Sequence, residues 1–313
     1  MTDRQAMRQA LDLARRGWGR VAPNPMVGAV VVAPGGQVAG AGFHAQFGAP
    51  HAEVEALRAA GENARGADLI VTLEPCRHLG KTPPCTEAIL AAGVKRVMYA
   101  VGDPTTEARG GGEQLRAAGV QVESGVLADE AVVLNAPFFF AATDEGRRRP
   151  FVALKLATSL DGRIADADGQ ARWISGPEAR EFGHWLRAGF DAIAVGGQTA
   201  LQDDPLLTVR GKLVPRKPPV RVVFDRRAML NSAFKLVQTA REAPTWVVAS
   251  REAPDASVQV LEEAGVRVFR PSTLTEGMEQ LRQEGIQSLF CEGGGLLLSK
   301  LMAEGLVDRL YWV

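Results

Sequence analysis

The chain has 313 residues, of which 46% are hydrophobic and 23% are charged, a composition typical of folded globular proteins and not of disordered ones. This length predicts two domains, because a single hydrophobic core seldom extends beyond about 250–300 residues. Basic and acidic residues number 36 each, so the chain lacks the overall positive charge that nucleic-acid-binding proteins usually carry.

The distribution of apolar and cysteine residues indicates the cellular setting. No apolar run approaches the roughly 18 residues of a membrane helix, and the first residues lack the apolar centre of a secretory signal. We therefore expect a cytoplasmic protein with no membrane partner and no nucleic-acid partner. Three cysteines are too few for a disulfide framework in a chain of this length, which favours metal binding or catalysis.

Helical and strand-like patterns alternate through the first half of the chain, which predicts an α/β domain. An amphipathic helix around Met7 to Ala14 comes first and ends before Gly17. Buried strands are predicted at 27–32, 69–73 and 97–101, and helices that end at glycines at 53–60, 87–92 and 113–118. A last helix over 129–142 leads into the charged stretch 144–150, where we place the domain boundary.

The second half repeats this alternation, starting from a new strand at 151–157. The segment 208–219 is rich in Arg, Lys and Pro and predicts an exposed loop. The final residues, 308–313, again form a strand-like pattern. The remaining strands are predicted at 192–195, 220–224, 246–249, 266–269 and 288–291.

One histidine and two cysteines in the first half form a candidate metal site. His51 opens a helix, Cys76 follows a predicted strand, and Cys85 starts the next helix. Zinc prefers imidazole and thiolate ligands, and three protein ligands leave a fourth position for a water, which is typical of catalytic zinc sites. Glu53, two residues after the histidine, can move a proton from such a water to a leaving amine.

The order of these residues is close to a zinc-deaminase signature, H-x-E followed by P-C-x-x-C. His51-Ala-Glu53 and Pro75-Cys76 fit this signature, whereas Cys85 lies nine positions after the first cysteine and not three. The alternative is that these are ordinary core residues, since free cysteine is often buried. Their ordered spacing favours zinc.

Glycines follow two predicted strands of the second half. Gly196-Gly197 comes after 192–195, and Gly293 to Gly295 lies between 288–291 and a helix. Glycines at such places let backbone N–H groups approach a phosphate near a helix N-terminus, which indicates a nucleotide or phosphate site. The pattern is not the G-x-G-x-x-G fingerprint, and a plain structural turn is the alternative.

Motifs in both halves resemble the bifunctional deaminase/reductase family of riboflavin biosynthesis (the RibD family), and together they cover nearly the whole chain. In the deaminase half of that family, the longer gap between the cysteines is the rule. The motifs similar to that half are Asn24-Pro-Met-Val-Gly28, Pro50-His-Ala-Glu53, Thr72-Leu-Glu-Pro-Cys76 and Gly80-Lys-Thr-Pro-Pro-Cys85. Those similar to the reductase half are Lys155 to Gly162, Trp173 to Gly176, Leu186 to Ala188, Gly196 to Thr199, Asp203 to Arg210 and Glu292 to Gly295.

For residues 1–145 the resemblance implies a cytidine-deaminase-like three-layer domain. Its implied reaction is the zinc-dependent hydrolytic deamination of 2,5-diamino-6-(5-phosphoribosylamino)pyrimidin-4-one. For residues 150–313 it implies a dihydrofolate-reductase-like α/β domain. This domain would use NADPH to reduce the ribosyl group of 5-amino-6-(5-phosphoribosylamino)uracil to ribityl.

The resemblance also implies roles for residues of the deaminase half. One Zn²⁺ is held by His51, Cys76 and Cys85, with Glu53 as the catalytic proton shuttle. Asn24 is a substrate contact, or alternatively a turn residue before Pro25. His44 is a weaker substrate candidate or a surface histidine. Lys81 and Thr82 contact a phosphate or ribose, or cap the Cys85 helix. The family's Ser-His-His after the first cysteine is Arg77-His78-Leu79 here, which removes one polar group.

In the reductase half the implied cofactor-binding residues are Ala157, Trp173, Thr199, Asp203 and the loop Gly294, Gly295, Leu296, Leu297, Leu298, Ser299 and Lys300. The implied substrate-binding residues are Lys155, Ala171, Arg187, Leu207, Arg210 and Glu292. Two arginines suit a phosphate monoester, because each can make charge-assisted bidentate hydrogen bonds. The alternatives are Arg187 on a solvated helix face, Arg210 in a basic loop and Trp173 in core packing. We interpret His184 as a helix-surface histidine and Cys291 as a buried strand residue.

Members of this family usually continue beyond the last strand-like segment of this chain. We therefore expect the second domain to be C-terminally truncated, with an exposed sheet edge, and we expect a homo-oligomer. Two other functions remain open. One is a deaminase for another pyrimidine or a nucleic-acid base, with the second half as a binding module. The other is a scaffold with structural zinc, which three ligands in place of four disfavour.

Overall fold

The computed structural model describes residues 1–80, 82–164 and 175–313. The chain forms two compact units, Met1–Ala142 and Thr143–Val313. Each unit is a β-sheet flanked by helices, which confirms the predicted α/β class. Among the helices of these described ranges, none combines the length and the apolar composition needed to cross a membrane.

The first unit is built on a mixed sheet, which within residues 1–80 and 82–142 has five strands in the order β2-β1-β3-β4-β5. Strand β1 runs antiparallel to both of its neighbours, and β3, β4 and β5 are parallel. The strands are β1 (Gly28–Val32), β2 (Val38–Phe43), β3 (Asp68–Leu73), β4 (Arg96–Val101) and β5 (Gln121–Ser124). The helices are α1 (Asp3–Ala14), α2 (Ala52–Ala60), α3 (Cys85–Ala92), α4 (Gly111–Ala117), α5 (Ala128–Leu134) and α6 (Ala136–Ala141).

The central strands β1 and β3 bury residues on both faces of the sheet, which produces three layers. Successive side chains of a strand point to opposite faces of the sheet. In β1, Val30 packs on the α1 side, in one core with Met7 and Leu11, whereas Val31 packs on the α2 side. Because both faces are covered, the sequences of these two strands are nearly continuous apolar runs, and those runs made the strands predictable.

One predicted helix of the first unit is wrong in its extent. The segment predicted as a single helix over 129–142 consists of α5 and α6, which meet at Asn135. The side chain of Asn135 is buried and bonds the backbone of Met26: Oδ1 accepts from its N–H at 2.8 Å and Nδ2 donates to its carbonyl at 2.9 Å. A tertiary contact therefore decides where the helix breaks.

The second unit is built on a parallel sheet, which within residues 143–164 and 175–313 has seven strands in the order β10-β9-β8-β7-β11-β6-β12. The strands are β6 (Phe151–Leu156), β7 (Ala192–Gly196), β8 (Val220–Phe224), β9 (Thr245–Val248), β10 (Arg267–Phe269), β11 (Ser288–Cys291) and β12 (Arg309–Trp312). The helices are α7 (Asp144–Arg148), α8 (Pro177–Arg187), α9 (Gly197–Asp203), α10 (Lys235–Gln238), α11 (Asp255–Glu263), α12 (Leu274–Gln283) and α13 (Gly295–Ala303).

The neighbouring strands β7 and β11 mark the point where this sheet changes its winding direction. After β7 the chain continues through α9 towards β8, and after β11 it continues through α13 to β12 on the other side. The two helices contribute to different cores, with Ala200 of α9 in one and Leu301 of α13 in the other. Ligands of open parallel sheets bind at the carboxyl ends of the strands at such a point.

Candidate active sites

Three side chains of the first unit come together as a candidate metal site. His51 precedes the first residue of α2, Cys76 follows β3, and Cys85 begins α3. The Nδ1 atom of His51 lies 3.2 Å from Sγ of Cys85 and 3.5 Å from Sγ of Cys76, and all three ligand atoms lie within 4.8 Å of one another. Tetrahedral zinc with nitrogen at about 2.0 Å and sulfur at about 2.3 Å sets the N to S separation at roughly 3.5 Å. The three residues therefore fit zinc.

The two thiols of this site lie close enough together to shift each other's pKa in opposite directions. The hydrogen bond from Cys85 lowers the pKa of Cys76 well below its usual value, and the same bond raises the pKa of Cys85. The backbone N–H of Cys85 also donates to Sγ of Cys76 at 3.4 Å. The site thus stabilises negative charge on sulfur, which is the form that binds a divalent cation.

Glu53 lies in the first turn of α2, beside the three ligands, and only 3% of it is exposed. Burial raises the pKa of its carboxyl, and the neighbouring His51 opposes that shift. A buried carboxyl next to a metal site can both take up and release a proton, which is the property that general acid–base catalysis requires.

The metal site opens into a cavity of about 270 Å³, which also contains the predicted residues Asn24, His44 and Thr82. A closed cavity of about 150 Å³ already admits a benzene ring, so this one has room for a heterocycle. Nδ2 of Asn24 lies 3.2 Å from Nε2 of His44, whose Nδ1 lies 3.1 Å from the carbonyl of Pro50. His44 is 3% exposed, so the surface alternative is wrong. Helix α3 begins after Pro84 with no side-chain cap, so Thr82 does not cap it.

The cavity wall includes polar residues that the sequence analysis did not single out, namely Glu74, Asp103 and Thr105. Glu74 follows β3 and Asp103 lies two residues after β4, the parallel neighbour of β3. The carboxyl ends of parallel neighbours lie at the same edge of a sheet. The sequence signal that could have identified Glu74 and Asp103 is therefore a polar residue shortly after each of two neighbouring strands. Lys81 lies outside the described residues.

In the second unit, two of the predicted substrate residues are paired with each other. Arg187, at the end of α8, donates from Nε at 2.8 Å and from Nη2 at 2.5 Å to Oε2 of Glu292, which directly follows β11. Nη1 of Arg187 donates to the carbonyl of Thr208 at 2.8 Å. The side chains of the pair are 17% and 11% exposed, so the alternative of a solvated helix face for Arg187 is wrong.

The segment around Leu207 and Arg210 lies against the same end of α8. Nδ1 of His184, one turn before Arg187, accepts from the backbone N–H of Arg210 at 3.2 Å. His184 is half-buried on α8, where it contacts this segment, and burial lowers its pKa. The Arg210 side chain is exposed, whereas Leu207 is buried with a φ of 49°. Cys291 is fully buried in β11, as predicted.

The glycines after β7 and β11 bring two helix starts close together. A Cβ atom on Gly294, whose φ is 87°, would lie 3.0 Å from Oγ1 of Thr199 and 3.6 Å from Cα of Gly196. The backbone N–H of Gly196 donates to the carbonyl of Gly293 at 3.3 Å. The N-terminus of α13 and that of α9 therefore adjoin at the carboxyl ends of the strands, an arrangement that fits the phosphates of a dinucleotide.

The remaining predicted cofactor and substrate residues lie in several different places. The helix predicted after Gly293 to Gly295 is confirmed as α13, which begins at Gly295, so the residues 295–300 of the predicted cofactor loop are helical. The side chains of Leu297 and Leu298 lie in the core, which leaves only their backbone atoms for a ligand. Lys155 and Ala157 are half-buried at the end of β6, and Asp203 is exposed at the end of α9, whereas Ala171 and Trp173 lie outside the described residues.

Known proteins resemble the whole chain. Residues 1–101 match the family model of the cytidine and deoxycytidylate deaminase zinc-binding region, and residues 150–313 match that of the RibD C-terminal domain. The riboflavin biosynthesis protein RibD of Aquifex aeolicus is 44% identical over 312 residues, which cover 98% of this chain and 85% of that protein.

Solved structures of RibD proteins are similar to the chain. The structure of Acinetobacter baumannii RibD (form 1) has a TM-score of 0.83 and 39% identity, covering 99% of this chain and 86% of that one. The diaminohydroxyphosphoribosylaminopyrimidine deaminase/5-amino-6-(5-phosphoribosylamino)uracil reductase of Thermotoga maritima has a TM-score of 0.83 and 38% identity, covering 99% and 85%. These matches, with the domain match over 150–313, do not support the predicted truncation of the second domain.

Proposed function

The chain belongs to the RibD family of riboflavin-biosynthesis deaminase/reductases, and from this premise we propose a substrate and a set of working residues for each half. It is a bifunctional enzyme with a zinc-binding deaminase domain and an NADPH-dependent reductase domain. We assign the deamination of 2,5-diamino-6-(5-phosphoribosylamino)pyrimidin-4-one to residues 1–145. We assign the reduction of the ribosyl group of 5-amino-6-(5-phosphoribosylamino)uracil to residues 150–313. The similar Thermotoga maritima protein is named for both activities.

The observation that carries the deaminase assignment is the cluster of His51, Cys76 and Cys85 beside the buried Glu53, at the wall of a cavity of ring size. When bound, zinc supplies Lewis-acid activation of a water. The Glu53 carboxylate takes a proton from the attacking water and gives it to the departing amine, because it is buried beside His51, Cys76 and Cys85 and lines the same cavity. Asn24, held through Nδ2 by His44, offers its carbonyl oxygen to an N–H group of the pyrimidine.

The reductase assignment rests on the crevice at the carboxyl ends of β7 and β11. When bound, NADPH supplies the hydride. Thr199 and Gly294 lie where the starts of α9 and α13 adjoin, and they hold the cofactor phosphates there. Arg187 and Arg210 bind the substrate phosphate, and Glu292 keeps the Arg187 guanidinium oriented. The homo-oligomer and the cytoplasmic location stay predictions.

Substitution of Glu53 by glutamine tests the deaminase assignment. We expect the rate of ammonia release to fall by roughly 10²–10⁴-fold, the usual contribution of a general acid–base group. The matched control is Glu55→Gln in the same turn of α2, which removes a surface ion pair with Arg58. Both variants should keep one zinc per chain and should reduce the deaminated substrate normally. Undiminished ammonia release by zinc-loaded Glu53→Gln would refute the role of this residue.

A further inference from the structure

The carboxylate of Glu74 connects the end of β3 with both ends of the segment 102–110, which we call the β4–α4 loop. Oε1 of Glu74 accepts from the backbone N–H groups of Gly110 and Gly112, each at 3.0 Å. Oε2 accepts from the backbone N–H of Asp103 at 3.3 Å. One side chain therefore fixes the first and the last turn of this loop.

These hydrogen bonds satisfy a carboxylate that is almost withdrawn from solvent, since Glu74 is 9% exposed. A buried carboxylate is costly unless its lone pairs are occupied, and here backbone amides occupy both oxygens. The amides of Gly110 and Gly112 belong to the start of α4, where the helix dipole also favours a negative charge. The bonds between Glu74 and this loop are therefore stronger than those of a solvated glutamate.

This arrangement explains why three consecutive glycines, Gly110-Gly111-Gly112, stand at the start of α4. A Cβ atom on Gly111 would lie 1.8 Å from the carbonyl oxygen of Pro75, and one on Gly112 would lie 3.0 Å from the Tyr99 ring and 3.3 Å from Oε1 of Glu74. Only glycines let the start of α4 come close enough to β3 for its amides to reach the carboxylate.

The β4–α4 loop forms one wall of the deaminase cavity through Asp103, Thr105 and Ala108. Oδ1 of Asp103 accepts from both the backbone N–H of Thr105, at 2.8 Å, and its hydroxyl, at 2.6 Å. Asp103 and Thr105 therefore form one polar unit on the cavity wall, whose backbone Glu74 holds in place.

We propose that Glu74 is a positioning residue of the deaminase site, which sets substrate affinity by fixing the polar unit Asp103–Thr105 at the cavity wall. The oxygens of Glu74 are engaged by backbone amides, so it acts through the loop and not on the ring. This proposal rests on the proposed deaminase function. It concerns residues other than the metal ligands and Glu53, and it gives the acidic residue of the Glu74-Pro-Cys76 motif a role of its own.

The first test is Glu74→Gln in the full-length, zinc-loaded enzyme. Glutamine keeps the shape but directs an NH₂ group at one of the backbone N–H donors, so the loop loses a tether. We expect the KM of deamination to rise about tenfold, the effect of losing roughly one hydrogen bond, with kcat within about threefold and one zinc per chain retained. Glu113→Gln is the matched control, because Glu113 is an exposed carboxylate in the first turn of the same helix. An unchanged KM in zinc-loaded Glu74→Gln would overturn the proposal.

A double-mutant cycle distinguishes positioning from a general structural effect. In an Asp103→Ala background, Glu74→Gln should raise KM by less than about twofold, because residues that act through one another are not additive. If Glu74→Gln raises KM by the same factor in both backgrounds, Glu74 does not act through Asp103 and the proposal is wrong.

Residue-resolved amide hydrogen exchange tests the tether without substrate and without relying on any variant. In the unmodified protein, the amides of Gly110 and Gly112 should exchange much more slowly than that of the exposed Glu107 in the same loop. Glu74→Gln should accelerate them, and fast exchange in the unmodified protein would overturn the proposal even if this variant does not fold. If the wild-type protein shows the protected amides but releases no ammonia from the diaminopyrimidinone, the proposed substrate is wrong and the tether stands.

Discussion

The conversion of Arg187 to lysine tests the substrate-binding role proposed for the end of α8. Arg187 makes hydrogen bonds in two directions, from Nε and Nη2 to Glu292 and from Nη1 to the carbonyl of Thr208. Lysine keeps the positive charge but cannot form the planar fork that a carboxylate and a phosphate both match. The substitution therefore separates geometry from charge.

The size of the effect follows from the bonds that are lost. A hydrogen bond to a charged group contributes about 1.5–3 kcal/mol, and lysine replaces at most one of the bonds that the guanidinium directs into the site. We expect the transition state of the reduction to lose about 3 kcal/mol of stabilisation, which lowers kcat/KM roughly a hundredfold. Because Arg187 is 17% exposed, solvent screening reduces this effect only partly.

The assay follows NADPH absorbance with the deaminated substrate, and ammonia release in parallel. Ammonia release should be unchanged, because Arg187 belongs to the second unit. The control variant is Arg180→Lys, an exposed arginine two turns earlier on the same helix, and it should leave the reduction unchanged. A reduction by Arg187→Lys that equals the wild-type rate, in a variant with unchanged stability, would show that the fork is not used on substrate.

Three further expectations concern metal, core and surface. Removal of zinc by a chelator should abolish ammonia release, leave NADPH oxidation with the deaminated substrate intact, and be reversed by added Zn²⁺; loss of both activities would contradict separate sites. Arg221, 1% exposed, donates hydrogen bonds to six acceptor atoms. Among the described residues, the only buried side-chain nitrogen or oxygen atoms without a partner are its Nε and Oε1 of Gln280. Arg221→Met should therefore destabilise the second unit by about 3 kcal/mol, lowering its calorimetric Tm by roughly 6–12 °C, whereas the exposed Arg226→Met should not; a higher Tm would mean that burying the charge costs more than its bonds repay. A hydrogen bond from Arg96 lowers the pKa of Asp3 below its usual 3.8. The ionised Asp3 carboxylate therefore stabilises the folded protein above pH 3.8, and this stabilisation is lost as the pH falls through the lowered pKa. The free energy of unfolding in urea should differ between Asp3→Asn and the wild type at neutral pH, and the two values should converge in acid. A difference that stays the same at all pH values would exclude this linkage.

The metal ligands and the strands could be predicted because each depends on local pattern. Buried strands of both units are continuous apolar runs. A histidine and two cysteines that lie next to strand ends and helix starts are typical of zinc ligands. Strand β5 was not predicted, since Gln121–Ser124 lies at the sheet edge and has only one apolar residue. The break at Asn135 was missed for a different reason: its side chain is used by Met26, which is distant in sequence.

The parts of the sites that the sequence did not show are those made by pairing across the fold. Arg187 and Glu292 were both predicted as substrate residues, but their mutual ion pair depends on α8 meeting the end of β11. The contact of His184 with the backbone of Arg210 was not predicted, because Arg210 lies beyond β7 and α9 in the chain. Glu74 belongs to a motif that was recognised, yet its three backbone donors follow another strand. The residue types indicate which chemistry a site can perform. Which residues pair with each other depends on contacts between segments that are distant in sequence.

A paired assay on the purified chain tests the bifunctional assignment most directly. The protein is incubated with 2,5-diamino-6-(5-phosphoribosylamino)pyrimidin-4-one and NADPH, and ammonia and NADPH absorbance are followed in the same sample. We predict that ammonia release begins first and that NADPH oxidation follows it, approaching one equivalent per ammonia. Zinc-loaded, folded protein that releases no ammonia from this substrate would contradict the deaminase assignment, and ammonia release without NADPH oxidation would contradict the reductase assignment.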